Sequence, residues 1–288
     1  MSTPTHTALR SVTSVGAGRK TYDGAGIPLT RVISSPDIGI IDPFLLLDEF
    51  GSSDPGDYRG GFPDHPHRGF ETVTYMLAGH MRHKDNHGHE GVIGPGGVQW
   101  MRAGRGLIHS EMPEQDSGWL RGFQLWVNLP AARKMDAPDY QEFSGAEIPE
   151  ERRGGDCTIK AIAGTTSGGL SGAVSGVPTA PLYFDVHLNA GARFEETLDP
   201  QANACLYVYQ GSVNVAAAKG AATELKRGQL GKLGPGNAIQ VTAGAEATRF
   251  LLLAARPINE PVAWHGPFVM NTQDELRQAI SDYQAGRF

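Results

Sequence analysis

Cysteine is almost missing from this chain of 288 residues: Cys157 and Cys205 stand far apart, in no metal-binding spacing. A disulfide framework is not indicated, and a reducing, cytoplasmic setting is the expectation. Long apolar runs are missing too. The longest, Phe250 to Ala255, has six residues, too few to span a bilayer. The opening MSTPTHTALRSV has no apolar segment of the kind a signal peptide needs, so no membrane role is expected. Runs of lysine or arginine do not occur, and the net charge is −6, which argues against a nucleic-acid backbone as a direct partner. Stretches free of glycine and proline are scarce. The 38 glycines and 19 prolines favour short strands joined by tight turns over long helices.

What is present is a series of strand patterns over a length that suits two domains of about 130 residues each. Residues 70–78 (FETVTYMLA) alternate with period two. If that strand runs back to His65, then His65, His67, Glu71, Val73, Tyr75 and Leu77 share one face. A histidine-rich loop with His80, His83, His87 and His89 follows Gly79. A Gly-Pro-Gly-Gly turn at 94–97 precedes a strand at 98–101, and another strand at 123–129 closes at Pro130. Residues 130–156 read as a polar connector, and 165–181 as an exposed Gly/Ser/Ala loop. Strands resume at 182–188, 205–209, 239–242 and 249–254. Residues 1–9 look like a mobile tail. At the other end, Thr272-Gln-Asp-Glu275 has the form of a capping box, and Leu276, Ala279, Ile280 and Tyr283 follow at helical spacing. A C-terminal amphipathic helix is predicted.

The turn signals repeat. An offset of 132 residues places Tyr75 and Gly79 on Tyr207 and Gly211, Gly96 on Gly228, and Leu107 on Ile239. The chain reads as two copies of one β-fold.

Within the first copy, His65-Pro-His67 is answered by His109-Ser-Glu111. Each pair has i, i+2 spacing, so on a strand both of its side chains aim the same way. Two such strands side by side bring three imidazoles and a carboxylate to one point, a donor set for Zn, Fe, Ni, Mn or Cu with coordination positions left open. Glu71 competes with Glu111 for the carboxylate role, because its parity matches His65 and His67. Under the 132-residue offset, His65, His67, His109 and Glu111 fall on Thr197, Asp199, Val241 and Ala243. One metal per chain, in the N-terminal half, is therefore expected. The loop histidines offer a second cluster, but their polar setting reads as plain surface. Trp100 and Trp126 read as packing residues, and Arg102 and Arg105 as solvated or paired.

The stretches HPHRGFETVTYMLAGHMRHKD, GGVQWMRAGRGLIHSEMP and INEPVAWHGPFVMNT resemble the pirin family of the cupin superfamily, from about residue 20 to 288. The resemblance implies an all-β fold of two stacked antiparallel cupin (jelly-roll) β-barrels with a short C-terminal helix. The expected divisions are 1–20 (tail and first strand), 21–140 (metal-binding barrel), 141–181 (connector and loop) and 182–288 (a barrel without ligands, plus the helix). It implies His65, His67, His109 and Glu111 as ligands of one divalent ion, iron(II) above the others, with Glu71 lining the barrel or backing the ligands. The implied activity is a quercetin 2,3-dioxygenase acting on flavonol-like substrates with O2, in which Glu111 also takes the substrate's proton. The alternative is a metal- or redox-switched regulator that works through a protein partner.

Overall fold

A computed structural model describes residues 8–288, so most of the expected N-terminal tail lies outside the described residues. The chain divides into two compact units. The N-terminal unit comprises Arg19–Ile148 and Ile258–Phe288, and the C-terminal unit comprises Pro149–Pro257 with the chain up to Gly18. This differs from a contiguous division into 21–140 and 182–288. Strand Val12–Ala17 pairs with Gln229–Leu233 of the C-terminal unit, while the C-terminal helix packs in the N-terminal one. Pairing between segments so remote in sequence leaves no local signature.

Each unit is a jelly roll of two antiparallel sheets rather than a closed barrel. In the N-terminal unit the large sheet runs Asp139–Phe143, Val98–Arg102, Phe70–Ala78, Leu120–Asn128, Phe44–Ser52, Ile27–Ile33 and Arg19–Asp23. The small sheet runs Phe62–His67, Leu107–Pro113, Met81–Asp85 and Glu90–Ile93. The C-terminal unit repeats this order, its small sheet running Arg193–Thr197, Ala238–Ala243, Ser212–Val215 and Thr223–Lys226. The edge place that Asp139–Phe143 fills in the first unit is taken in the second by Val12–Ala17. The repeat read from turn spacing is thus a repeat of topology.

The two interiors differ in kind. Between the sheets of the C-terminal unit, Phe184, Val186, Leu206, Phe250, Val213 and Val241 join one continuous apolar cluster, each such side chain contributing roughly 2 kcal/mol. Both cysteines are buried free thiols. In the N-terminal unit the apolar core breaks into smaller clusters, and His67, His83, Asp85, Gln99, His109 and Glu111 are buried among them. Buried polar groups are costly unless partnered, so this interior carries groups that packing alone does not call for.

The predicted C-terminal helix forms at Gln273–Gln284, with both halves of the capping box in place. The Glu275 amide donates to Thr272 Oγ1 at 3.2 Å and the Thr272 amide to Glu275 Oε2 at 2.9 Å. Leu276 and Ala279 face Phe268 and Met270.

Candidate metal centre

The small sheet of the N-terminal unit assembles the histidines. His65 and His67 lie on Phe62–His67, and the antiparallel register sets His109 opposite His65 and Leu107 opposite His67. One donor atom from each of the three imidazoles falls within 4.8 Å of the others. His65 Nε2 and His67 Nε2 are 3.0 Å apart, and ring centroids lie 4.4 Å apart for His65 and His109 and 5.0 Å for His67 and His109. His67 and His109 are 2% and 1% exposed. Burial holds both far below the usual imidazole range, with neighbouring imidazoles adding to it. Both are therefore neutral, the form that donates to a metal. Neither ring nitrogen of His109 has a hydrogen-bond partner.

Glu111 lies on the same strand as His109 and lines the cavity with His65 and His67, outside the three-imidazole group. Its Oε1 accepts from Thr74 Oγ1 at 2.8 Å, and Thr74 Oγ1 lies 2.7 Å from Gln124 Oε1. A hydroxyl has one proton, so if Thr74 donates to Glu111 the Gln124 amide must turn its NH2 toward Thr74. With the amide so turned, the hydrogen bonds run from Gln124 through Thr74 to Glu111.

Glu71 does not share this face. The parity argument fails because Phe62–His67 belongs to the small sheet and Phe70–Ala78 to the large one, with Gly69 at φ +89° between them. A Cβ at Gly69 would stand 2.0 Å from the Val269 carbonyl oxygen. The turn therefore requires glycine, and it resets which residues face inward. Thr74 lines the cavity in place of the odd-numbered residues, and Glu71 is outside its lining. Burial pushes the Glu71 carboxyl up to about 7, moderated by Trp100 and by Arg102 and Arg133.

The cavity has a volume of about 610 Å³. His65, His67, Thr74, Glu111 and Gln124 form its polar side, and Phe50, Phe62, Trp126 and Trp264 supply aromatic walls. Trp126 is not merely packing: it lines the cavity and meets the edge of His67 at 5.2 Å. Trp100 is buried as expected, and Arg102 is paired with Asp139 at 3.0 Å. Neither Arg102 nor Arg105 lines the cavity. The sequence reading missed Arg31 and Asp48, which do line it and are joined by a two-point ion pair at 2.7 and 3.0 Å. Burial raises the Asp48 carboxyl to about 6 despite Arg31. The signal available was a charge in each of two adjacent apolar strands.

The histidines after Gly79 also differ from expectation. His80 and His87 are exposed, but His83 lies on strand Met81–Asp85 with its side chain inward, 2% exposed. Among the described residues, groups with metal-ligand spacing occur only in the N-terminal unit. At the corresponding place in the C-terminal unit the ladder sets Phe194 against Val241, as His65 stands against His109. By that register His65 and His67 correspond to Phe194 and Glu196, three residues before the positions given by the constant offset.

The donor atoms fit a divalent ion: His109 has no partner on either ring nitrogen, His65 and His67 turn Nε2 toward each other, and a fixed carboxylate lines the same cavity as these two. Two jelly rolls in one chain, with these donors confined to the first, define a two-domain cupin. Residues 26–127 match the family described as Pirin, and residues 183–288 match the Pirin C-terminal cupin domain. The chain belongs to the pirin family. It is 56% identical over 280 residues to a pirin-like protein of Caulobacter vibrioides, covering 97% of this chain and 99% of that one. It is 40% identical to human pirin over 277 residues, covering 96% and 92%. Its fold matches a crystal structure of quercetin 2,3-dioxygenase from Acinetobacter baumannii with a TM-score of 0.90 and 32% identity, covering 98% and 99%. No helix among the described residues is long and apolar enough to cross a membrane.

Proposed function

We propose that this protein is a metal-dependent dioxygenase that opens the heterocycle of a flavonol such as quercetin, with His65, His67, His109 and Glu111 holding one divalent ion, iron(II) first among them. The observation that carries this reading is the placement of donors and cavity together. His65, His67 and Glu111 line a space of about 610 Å³ that Phe50, Phe62, Trp126 and Trp264 also wall. That size and lining suit a planar, drug-sized molecule. The likeness to the Acinetobacter baumannii enzyme points to the same chemistry.

A bound iron(II) supplies Lewis acidity for a coordinating hydroxyl and electrons for dioxygen chemistry. The chain's own residues do the rest. Trp126 and Trp264 hold the aromatic rings of the substrate, and Phe50 and Phe62 keep water from them. Glu111 takes the proton of the flavonol hydroxyl, which leaves the ring electron-rich. The Thr74 hydroxyl, fixed by Gln124, keeps one oxygen of Glu111 engaged and so directs the other at the substrate. Arg31 and Asp48 give the cavity a polar end for the substrate's outer hydroxyls.

The test is oxygen uptake by protein reconstituted anaerobically with iron(II) and then given quercetin, beside a His109→Ala variant. Stoichiometric uptake with loss of flavonol absorbance in the wild type alone is expected. Full iron loading without uptake would overturn the proposal.

A further inference from the structure

The N-terminal unit holds a second convergence of metal-binding groups, formed by His83, His89 and Glu142, with donor atoms within 4.8 Å of one another. His83 projects inward from Met81–Asp85, His89 sits in the turn that follows, and Glu142 comes from the edge strand Asp139–Phe143 of the other sheet. Both imidazoles aim Nε2 at one carboxylate oxygen: Glu142 Oε1 is 2.6 Å from His83 and 3.0 Å from His89. The Gln99 amide donates to the same oxygen at 2.6 Å.

Hydrogen bonding alone does not account for this arrangement. His83 is 2% exposed, yet neither of its ring nitrogens has a properly directed hydrogen bond. Its contact with Glu142 has the distance but not the alignment. An imidazole buried in that way is normally satisfied, and here its near partner is the Glu142 carboxylate. The surroundings hold the group in position. Gly91 faces His83 across the Met81–Asp85 and Glu90–Ile93 pair, and a Cβ there would lie 2.8 Å from His83 Nε2 and 3.1 Å from Glu142 Oε2. Glycine inside a strand weakens it and often marks a close approach; here it lets the His83 ring lie against the neighbouring strand. His89 stacks on Tyr140 with centroids 4.0 Å apart, and the Tyr140 hydroxyl donates to Asp85 Oδ2 at 2.8 Å. Asp85 Oδ1 in turn accepts the backbone N–H groups of His87 and His89. The turn that carries His89 is thus fixed at both ends.

We propose that His83, His89 and Glu142 form a second metal site, which takes a zinc-type divalent ion and is separate from the site of His65, His67 and His109. Two imidazoles and one carboxylate leave a fourth position for water, a donor set that suits zinc. Bonds of about 2.1 Å put tetrahedral ligands roughly 3.4 Å apart, so an ion would spread the donors from the 2.6 and 3.0 Å that now separate Glu142 Oε1 from His83 and His89. The proposal does not depend on the dioxygenase reading, because an inert site would bind zinc equally well.

Metal content decides it. The full-length protein, stripped of metal, is dialysed against buffered zinc, and bound metal is counted by mass spectrometry. Two ions per chain are expected for the wild type, one for a His65→Ala/His67→Ala double variant, and one for His89→Ala or Glu142→Gln. His89 is partly exposed, and His89→Asn provides a gentler change whose fold is checked by circular dichroism. Cobalt(II) bound to the double variant should give the intense visible bands of four-coordinate cobalt, and His89→Asn on that background should weaken binding at least tenfold. A wild type that saturates at one ion, or a double variant that binds none, would overturn the proposal, as would zinc binding in the double variant indifferent to His89 and Glu142.

Discussion

Glu111 stands directly across the antiparallel ladder from His83, and His109 from Asp85. Opposite residues in such a pair point to the same face, so His83 of the second histidine–carboxylate group neighbours His109 and Glu111 on the inner face of one small sheet. Charge at one is felt at the other. Burial first, and then His67, His65 and His83, disfavours the cationic form of His109.

Thr74→Val removes the only proton that the Thr74–Glu111 contact offers while keeping the shape of the side chain. Turnover of a flavonol should fall about tenfold, equivalent to ~1.4 kcal/mol, with iron content unchanged. Thr74→Ser should restore most of it. Steady-state kinetics beside metal analysis checks both.

Trp126→Leu removes an aromatic wall of the cavity and the edge contact with His67. Because the wall acts on bound substrate, KM for the flavonol should rise roughly tenfold, more than kcat falls. An unchanged KM would show that the ring binds elsewhere.

Glu71 makes stability depend on pH. Its folded carboxyl, raised to about 7 chiefly by burial, holds a proton that the unfolded chain has already released above its ordinary value near 4.5. The unfolded state then binds fewer protons, so the stability that the neutral carboxyl gives at low pH is lost as pH rises from about 4.5 toward 7. The loss is at most about 3 kcal/mol. Glu71→Gln should flatten that part of the profile and be the more stable protein at pH 8, as urea denaturation at pH 5 and pH 8 would measure.

Gly69→Ala forces a side chain into positive φ and against the Val269 carbonyl. A loss of about 3 kcal/mol or more is expected, and the shift of His67 should weaken iron binding in the protein that still folds. Thermal melting with and without iron separates the two effects.

Much of the site was legible because its information is local. His65, His67, His109 and Glu111 announce themselves by i, i+2 spacing on strands whose ends are marked by glycine and proline, and the capping box at Thr272 needs only four residues. The misreading of Glu71 came from Gly69, whose positive φ is a backbone state that one letter does not reveal. His83 looked like loop because its neighbours Arg82 and Lys84 are charged and exposed, although that alternation is itself the mark of a half-buried strand. Arg31 and Asp48 meet only through the pairing of two strands.

The exchanged ends of the chain have a consequence for biosynthesis. Trp264, Gly266 and Pro267 wall the cavity but follow the whole C-terminal unit in the order of translation. A ribosome therefore releases all four proposed ligands long before the compartment around them can close. The N-terminal half is therefore made before the residues that complete the wall of its cavity, Trp264, Gly266 and Pro267.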